Sequence, residues 1–246
     1  MRRLLLFGMV IVVATGAASL GVWQLRRLTD RRVINRAALA ARELPPLVPP
    51  GTGHAQLPPN RRAILSGDLD EANEFVLRDR LVRGVPAVLI VTPLRPTGAD
   101  TAVLVNRGYV PAPDAVDPGA AKWSEQTTRR FHGILLPMPD RGDGAPLVHR
   151  GRETWHSLDL SAMRARLPYP IAPVYLVAES DSVEGTSHTI RGTVYPFRAE
   201  PPSMDEGPHL MYAIQWFGIA GAVAGFGWLF IWRGKAKARD SLSAPS

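Results

Sequence analysis

The stretch His209–Trp232, HLMYAIQWFGIAGAVAGFGWLFIW, decides the class of this chain. From Leu210 to Trp232 it holds 23 residues without a charge, and Arg233, Lys235 and Lys237 follow. At helical rise that run is about 33 Å long, enough to cross the hydrocarbon core of a bilayer. Tyr212, Trp216, Trp228 and Trp232 sit toward its two ends, where amphipathic rings favour the interface. Its first turns also carry His209 and Gln215. Polar groups at that depth face another helix or a bound molecule rather than lipid.

A second run has the same character. Leu4–Leu25 is 22 residues without a charge, bounded by Arg2-Arg3 and Arg26-Arg27, with Trp23 near its end. It is longer than the apolar region of a signal peptide and reads as a span. The expected layout is a short cytoplasmic N-terminus (1–3), a transmembrane helix (4–25) and its helical extension (26–44), which Pro45-Pro46 stops. A Pro/Gly-rich connector (45–60), a β-rich extracytoplasmic domain (61–208), a second transmembrane helix (209–232) and a basic cytoplasmic tail (233–246) complete it. The basic tail is short and the loop between spans long, so the positive-inside bias places both termini in the cytoplasm. Only Arg2-Arg3 and Met1 precede the first run. That favours the plasma membrane of a cell, as a two-pass protein, with the mitochondrial inner membrane as the alternative.

Composition removes several classes. Net charge is +7 and the pI about 10.3, but the arginines are dispersed and no basic stretch is interleaved with stacking aromatics. Nucleic acid is therefore not an expected partner, whereas membrane lipid is. Cysteine is absent, which excludes disulfides, thiolate metal sites, iron–sulfur clusters and thioether-attached haem.

Between the spans the pattern is β. RRAILSGDL, EFVLRDR, VPAVLIVTPLR, TAVLVNRGYVP, RRFHGILLP and PVYLVAE are short alternating or β-branched runs, and GTVYPF is a weaker one. One helix is expected at SLDLSAMRARL, capped by Ser157 or Asp159. Short strands with one helix predict an α+β domain whose antiparallel sheet curls toward a barrel.

The templates for chemistry are missing: no nucleophile elbow, zinc-protease helix, phosphate loop or dinucleotide fingerprint occurs. No catalytic residue is expected, and the chain does not read as an enzyme. HRGRETWH, with His149, Glu153 and His156, contains a Gly and two Arg and reads as turn or surface. Asp68 and Asp70 read as a turn leading into a strand. Asn106-Arg107-Gly108-Tyr109 interrupts a buried-looking strand. Either it is a β-bulge with Arg107 bonded to a nearby carboxylate, or Arg107 is a surface fork for a carboxylate of a partner or cofactor propionate.

Two spans joined by one loop run antiparallel. Trp23, Gln24, Arg26 and Arg27 at the outer end of the first then meet His209, Tyr212, Gln215 and Trp216 at the outer end of the second. His209, Tyr212 and Trp216 share a stripe at i, i+3 and i+7. Two readings stand. The residues anchor and glue the helices, or they seat a large flat ligand with anionic edges. In the second, imidazole would ligate haem iron, indoles line the macrocycle and Arg27 pair a propionate.

LGVWQLRRL, IVTPLR, VLVNRGYVP, WHSLDLSAM and HLMYAIQWF occur in this order, and with the two-span layout they resemble the surfeit locus protein 1 family from Gly21 to about Trp232. That resemblance implies an assembly factor for aa3-type cytochrome c oxidase, acting on the haem-copper centre of the catalytic subunit. Haem a would be its transient cofactor and the haem a synthesis machinery a further partner. It implies His209 as an iron ligand, with Trp23, Gln24 and Arg107 as functional positions. The alternative within this reading is a haem-independent scaffold for an oxidase subunit. Two departures are visible. Gly207-Pro208 replaces the Asn-Glu common before the family's His, so the imidazole is expected to lack its usual hydrogen-bond partner. GRETWHSLD lacks the Asn that often precedes Trp-x-x-x-Asp, so no Asn contact is expected near Trp155.

Overall fold

The computed structural model describes residues 2–48, 57–119, 123, 130–143, 145–179, 188–190, 193–198, 201 and 204–240. They form two compact units, one of residues 1–37 with 204–246, the other of residues 38–203.

The first unit is a helix pair. Helix α1 (Arg2–Glu43) runs unbroken through the apolar stretch and its basic extension, because nothing before Pro45 removes a helical hydrogen bond. The second apolar stretch also forms a helix, His209–Asp240, labelled α3 because one short helix precedes it; it outruns the expected end at Trp232. Both are long and apolar enough to cross a membrane.

The two helices meet along small residues. On α1 the covered positions Ala14, Ala17, Gly21, Gln24 and Leu28 recur every three or four residues. On α3 the same spacing runs through His209, Ala213, Trp216, Ala220, Val223 and Gly227. This is the period of a lengthwise helix seam, and Gly and Ala let the backbones approach. A Cβ at Gly21 would lie 2.8 Å from the Phe217 ring, and one at Gly227 only 2.5 Å from Val10 Cγ1. Val10 beside Gly227 and Gly21 beside Phe217 fix an antiparallel register.

That register is open to a direct check. A Cβ built on Gly227 falls 3.3 Å from Val10 Cβ, near the separation of about 3.5–4.5 Å that a disulfide spans. Because the chain has no cysteine of its own, Val10→Cys with Gly227→Cys is expected to oxidise to one intramolecular bond. After proteolysis in the intervening loop, non-reducing gels should retain the two helical fragments together. The control pair of Val12→Cys, on the exposed face, with Gly227→Cys should not.

The second unit is built on a closed sheet. Its strands are β1 (Arg62–Leu69), β2 (Phe75–Val82), β3 (Val85–Pro96), β4 (Ala102–Pro111), β5 (Arg130–Pro137), β6 (Leu147–His149), β7 (Arg152–Trp155) and β8 (Ile171–Ala178). They lie in the order β1-β5-β8-β4-β3-β2-β7-β6, and a further β1–β3 pairing closes five of them into a barrel. A separate hairpin joins β9 (His188–Ile190) and β10 (Thr193–Tyr195). The expected antiparallel sheet curled into a barrel is present, with two pairings, β4–β8 and β2–β7, running parallel. The long connections between those partners supply the crossovers that parallel pairing needs.

Covering on both faces explains why the middle strands are apolar without interruption. Eight consecutive residues of β3 are buried. Leu65, Leu94, Val105, Phe131 and Leu176, one from each barrel strand, pack in one cluster. Phe75, Leu89, Leu104 and Trp155 pack in another with Leu160 and Met163 of the short helix α2 (Leu160–Arg166). Trp155 sits edge-on to Phe75, ring centres 5.8 Å apart. Asp159 caps α2 by accepting from the Ala162 amide. The Trp-x-x-x-Asp pattern thus joins a core ring to the cap of the helix that covers it.

The segment HRGRETWH is a tight hairpin. β6 and β7 pair across Arg150 and Gly151, both at positive φ (49° and 80°), as a two-residue turn between twisted strands requires. Among the described residues no group of His, Asp and Glu is arranged to hold a metal.

Candidate functional site

Arg107 is not the surface fork that one reading gave it. Gly108 pairs with Ile90 and Asn106 with Val91, which leaves Arg107 as the extra residue of a β-bulge. Gly108 takes φ +111°, and a Cβ there would fall 2.7 Å from the Phe197 carbonyl oxygen, so glycine is required twice over. The bulge turns Arg107 inward, leaving it 1% exposed. Its Nη1 donates to Glu74 Oε2 at 2.9 Å and Thr92 Oγ1 at 3.2 Å, and lies 3.5 Å from Glu71 Oε1. Its Nη2 donates to the Trp123 carbonyl. The Thr92 hydroxyl also donates to Glu74 at 3.0 Å. Burial pushes the Glu74 carboxyl above its usual range, against the pull of Arg107 and Thr92. This cluster holds the β unit together and is saturated by its own partners.

The helix pair presents the other candidate. His209 opens α3 after the turn at Gly207-Pro208, where the Pro208 carbonyl accepts from the Tyr212 amide. Its Nδ1 lies 2.8 Å from Gln24 Oε1 of α1. The imidazole expected to lack a partner therefore has one, supplied from 185 positions away. Gln24 is 9% exposed, held in the seam between Gly21 and Leu28.

The end of the pair next to the intervening loop is pinned by polar contacts that the sequence did not single out. Arg32 makes a two-bond fork with Glu206, Nε to Oε1 and Nη2 to Oε2, each 2.9 Å. The hydrogen bond from Arg32 holds the Glu206 carboxyl below its usual range. Asn35 Nδ2 donates to the carbonyls of Met204 (2.9 Å) and Asp205 (3.2 Å). The signal available was Asp205-Glu206 just ahead of the second span, facing an arginine-rich exit from the first.

The remaining expected residues divide. Trp216 is half-buried in the seam. Tyr212 and Trp23 stand outside it, 46% and 51% exposed. Arg27 is exposed and shares a helix face with Trp23 at i, i+4. For Gln215 the sequence predicts another helix or a bound molecule as neighbour, and the first helix is not that neighbour. Six residues from His209 it is turned about 120° away from the seam, and it is exposed. The structure thus brings His209, Gln24 and Trp216 together, sets Trp23, Arg27 and Tyr212 on the flanks, and leaves Gln215 outside.

A protein-free nitrogen remains on the imidazole: His209 Nε2 has no hydrogen-bond partner among the described residues. Beside it lies Gly207, at φ +71°, whose missing side chain would stand 3.5 Å from Cδ2 and 3.6 Å from Nε2. A side chain at position 207 would lie against the Cδ2–Nε2 side of the ring, and glycine leaves that side uncovered by it. A planar metal complex needs an unhindered axial nitrogen and an apolar flank, and this donor set fits one.

The family model for the SURF1 family matches residues 11–221. The chain belongs to the SURF1 family. It is 24% identical over 215 residues to a SURF1-like protein of Rickettsia felis, covering 86% of this chain and 90% of that one. An uncharacterized SURF1-like protein of Mycobacterium tuberculosis is 26% identical over 234 residues, 92% of this chain and 82% of the relative. A SURF1-like protein of Monosiga brevicollis is 26% identical over 159 residues, 64% of this chain and 56% of the relative. The SURF1 match includes the α1 seam with Gln24, the whole β unit, and α3 as far as Gly221.

Proposed function

We propose that this SURF1-family chain is an assembly factor for an aa3-type cytochrome c oxidase and carries haem a as cargo on His209. The family is known generally for oxidase assembly factors, and the relatives are named only as SURF1-like. The observation that carries the finer reading is the free Nε2 of His209, left uncovered by Gly207 and set in a helix seam. Haem iron takes an imidazole nitrogen as axial ligand. Trp23 and Trp216 would lie along the macrocycle, with Tyr212 at its margin. Arg27, without an ion pair among the described residues, would meet a propionate. A catalytic subunit offering a better ligand set would take the cargo, and no bond-making step is assigned to the chain itself.

In this reading the chain lies in the cell membrane with both termini in the cytoplasm, and Arg233, Lys235 and Lys237 support that orientation. The β unit then faces outward, and the haem a synthesis machinery is the donor. The test is the full chain purified in detergent after co-production with haem a synthesis enzymes. A Soret band co-eluting with the protein is expected. A colourless protein under conditions that load a known haem a acceptor overturns the reading.

A second reading, a scaffold that holds the oxidase subunit without haem, draws on a different observation. Arg26, Arg27 and Arg31 are exposed and make no ion pair among the described residues, so three cations stand free at the exit of the first apolar run.

A further inference from the structure

We infer that Gln24 is a positioning residue that holds His209 in the tautomer protonated at Nδ1 and so reserves Nε2 for coordination. The inference rests on His209 as the haem-facing group, and deepens that reading by naming what sets its reactive nitrogen.

The chemistry follows from the contact. Gln24 approaches Nδ1 with its carbonyl oxygen, Oε1, at 2.8 Å. A carbonyl oxygen only accepts, so Nδ1 carries the proton. A neutral imidazole has one N–H, so its lone pair then lies on Nε2. The opposite tautomer would need the Gln24 amide to turn over and donate from its own Nε2 to a bare Nδ1, whereas here it is Oε1 that faces the ring. A second observation points the same way: the Nε2 edge, and not the Nδ1 edge, lies on the side that Gly207 leaves uncovered. The nitrogen freed by Gln24 is the one on that side.

Gln24 is held to this task by helix register. It lies in the seam one turn from Gly21, which sits against Phe217. Beyond it, Arg32 grips Glu206 and Asn35 grips the 204–205 backbone. Gln24 therefore serves the imidazole rather than the ligand. Outer partners that fix a metal-binding histidine typically change metal affinity about 10–100-fold when removed.

The experiment reads the tautomer without haem. The full chain, with histidine ring nitrogens labelled with ¹⁵N, is placed in lipid nanodiscs, and the His209 signals are assigned by their loss in His209→Ala. At a pH where the ring is neutral, wild type should show Nδ1 protonated and Nε2 bare. Gln24→Leu should give a mixture of tautomers, and Gln24→Glu, whose carboxylate also accepts from Nδ1–H, should restore the single form. The Val10→Cys, Gly227→Cys bond reports that the helices still pair in each variant. Protonated Nε2 in wild type, or an unchanged single tautomer in paired Gln24→Leu, overturns the inference. In a haem a titration of the same samples, Gln24→Leu should bind about tenfold more weakly and Gln24→Glu near wild type. If no sample binds haem a while the tautomers behave as stated, the cargo reading fails and the positioning role stands.

Discussion

Glu74→Leu should destabilise the β unit by about 3–5 kcal/mol, the usual cost of removing one partner from a buried ion pair. Arg107, 1% exposed, would keep its charge in the interior, with Glu71 3.5 Å away as a carboxylate among the described residues and Thr92 and the Trp123 carbonyl as neutral acceptors. Glu71 places the loss toward the lower end of that range. Small-domain stabilities are about 5–15 kcal/mol, so the loss is a large fraction of the total. Chemical denaturation of the full chain in detergent, followed by tryptophan fluorescence, should show the midpoint fall. The double variant Glu74→Leu, Arg107→Met should recover part of it, because no cation is then left in the interior, although Glu71 and the Trp123 carbonyl lose their contact with Arg107. Equal losses in the single and double variants would show that the cluster is held by packing and not by charge.

The same carboxyl predicts a pH signature. Burial raises the folded pKa of Glu74 above its ordinary 4.5, so the folded chain binds this proton more tightly than the unfolded one. Its contribution is fully present below about pH 4.5 and is lost as pH rises through the raised folded value. Asp70, Asp114 and Asp159 have folded values below their ordinary one and act in the opposite sense, losing stability on acidification. Total stability therefore mixes both trends. The difference between wild type and Glu74→Gln isolates the first: relative to the amide, wild type should weaken as pH rises from 4.5 toward neutrality.

The two clusters differ in how far the sequence revealed them. The strands were legible because burial on both faces leaves unbroken β-branched runs such as VPAVLIVTPLR, and α2 because Asp159 stands before an apolar 3.6 period. Arg107-Gly108 was visible as a break in such a run. Its carboxylate was not, because Glu74 is 33 positions away, just ahead of β2, whose register no local pattern specifies. Barrel closure through β1–β3 and the two parallel pairings are equally non-local. The β6–β7 hairpin was legible in part: HRGRETWH reads as turn or surface, and Arg150-Gly151 is that turn, but its flanking runs of three and four residues are too short to show a strand pattern. In the membrane pair the antiparallel layout followed from topology alone, and with it the neighbourhood of Gln24 and His209. What topology does not give is rotation about each helix axis, and that sends Gln215 outward while Trp216 enters the seam.

Rotation also decides how His209 separates the two functional readings. His209→Ala deletes the only described side chain at this end of the seam with a free ligating nitrogen, while Ala213, Trp216 and Gly227 still pack the helices. The Soret band of the co-produced protein should disappear, the Val10→Cys, Gly227→Cys bond should still form, and oxidase assembly should fall with the lost haem. A scaffold predicts the reverse pattern: His209→Ala leaves assembly intact, and reversing the free arginines abolishes it. Arg32 must be left out of that reversal. Its guanidinium belongs to Glu206, and Arg32→Glu would set two carboxylates against each other at the loop-side end of the pair, disturbing the Gln24–His209 contact under either reading. Charge reversal confined to Arg26, Arg27 and Arg31 leaves the Arg32–Glu206 pair in place. Reversing Arg26 and Arg31 without Arg27 spares the residue assigned to a propionate. Under the cargo reading that double reversal should leave the Soret band in place; under the scaffold reading it should lower oxidase assembly.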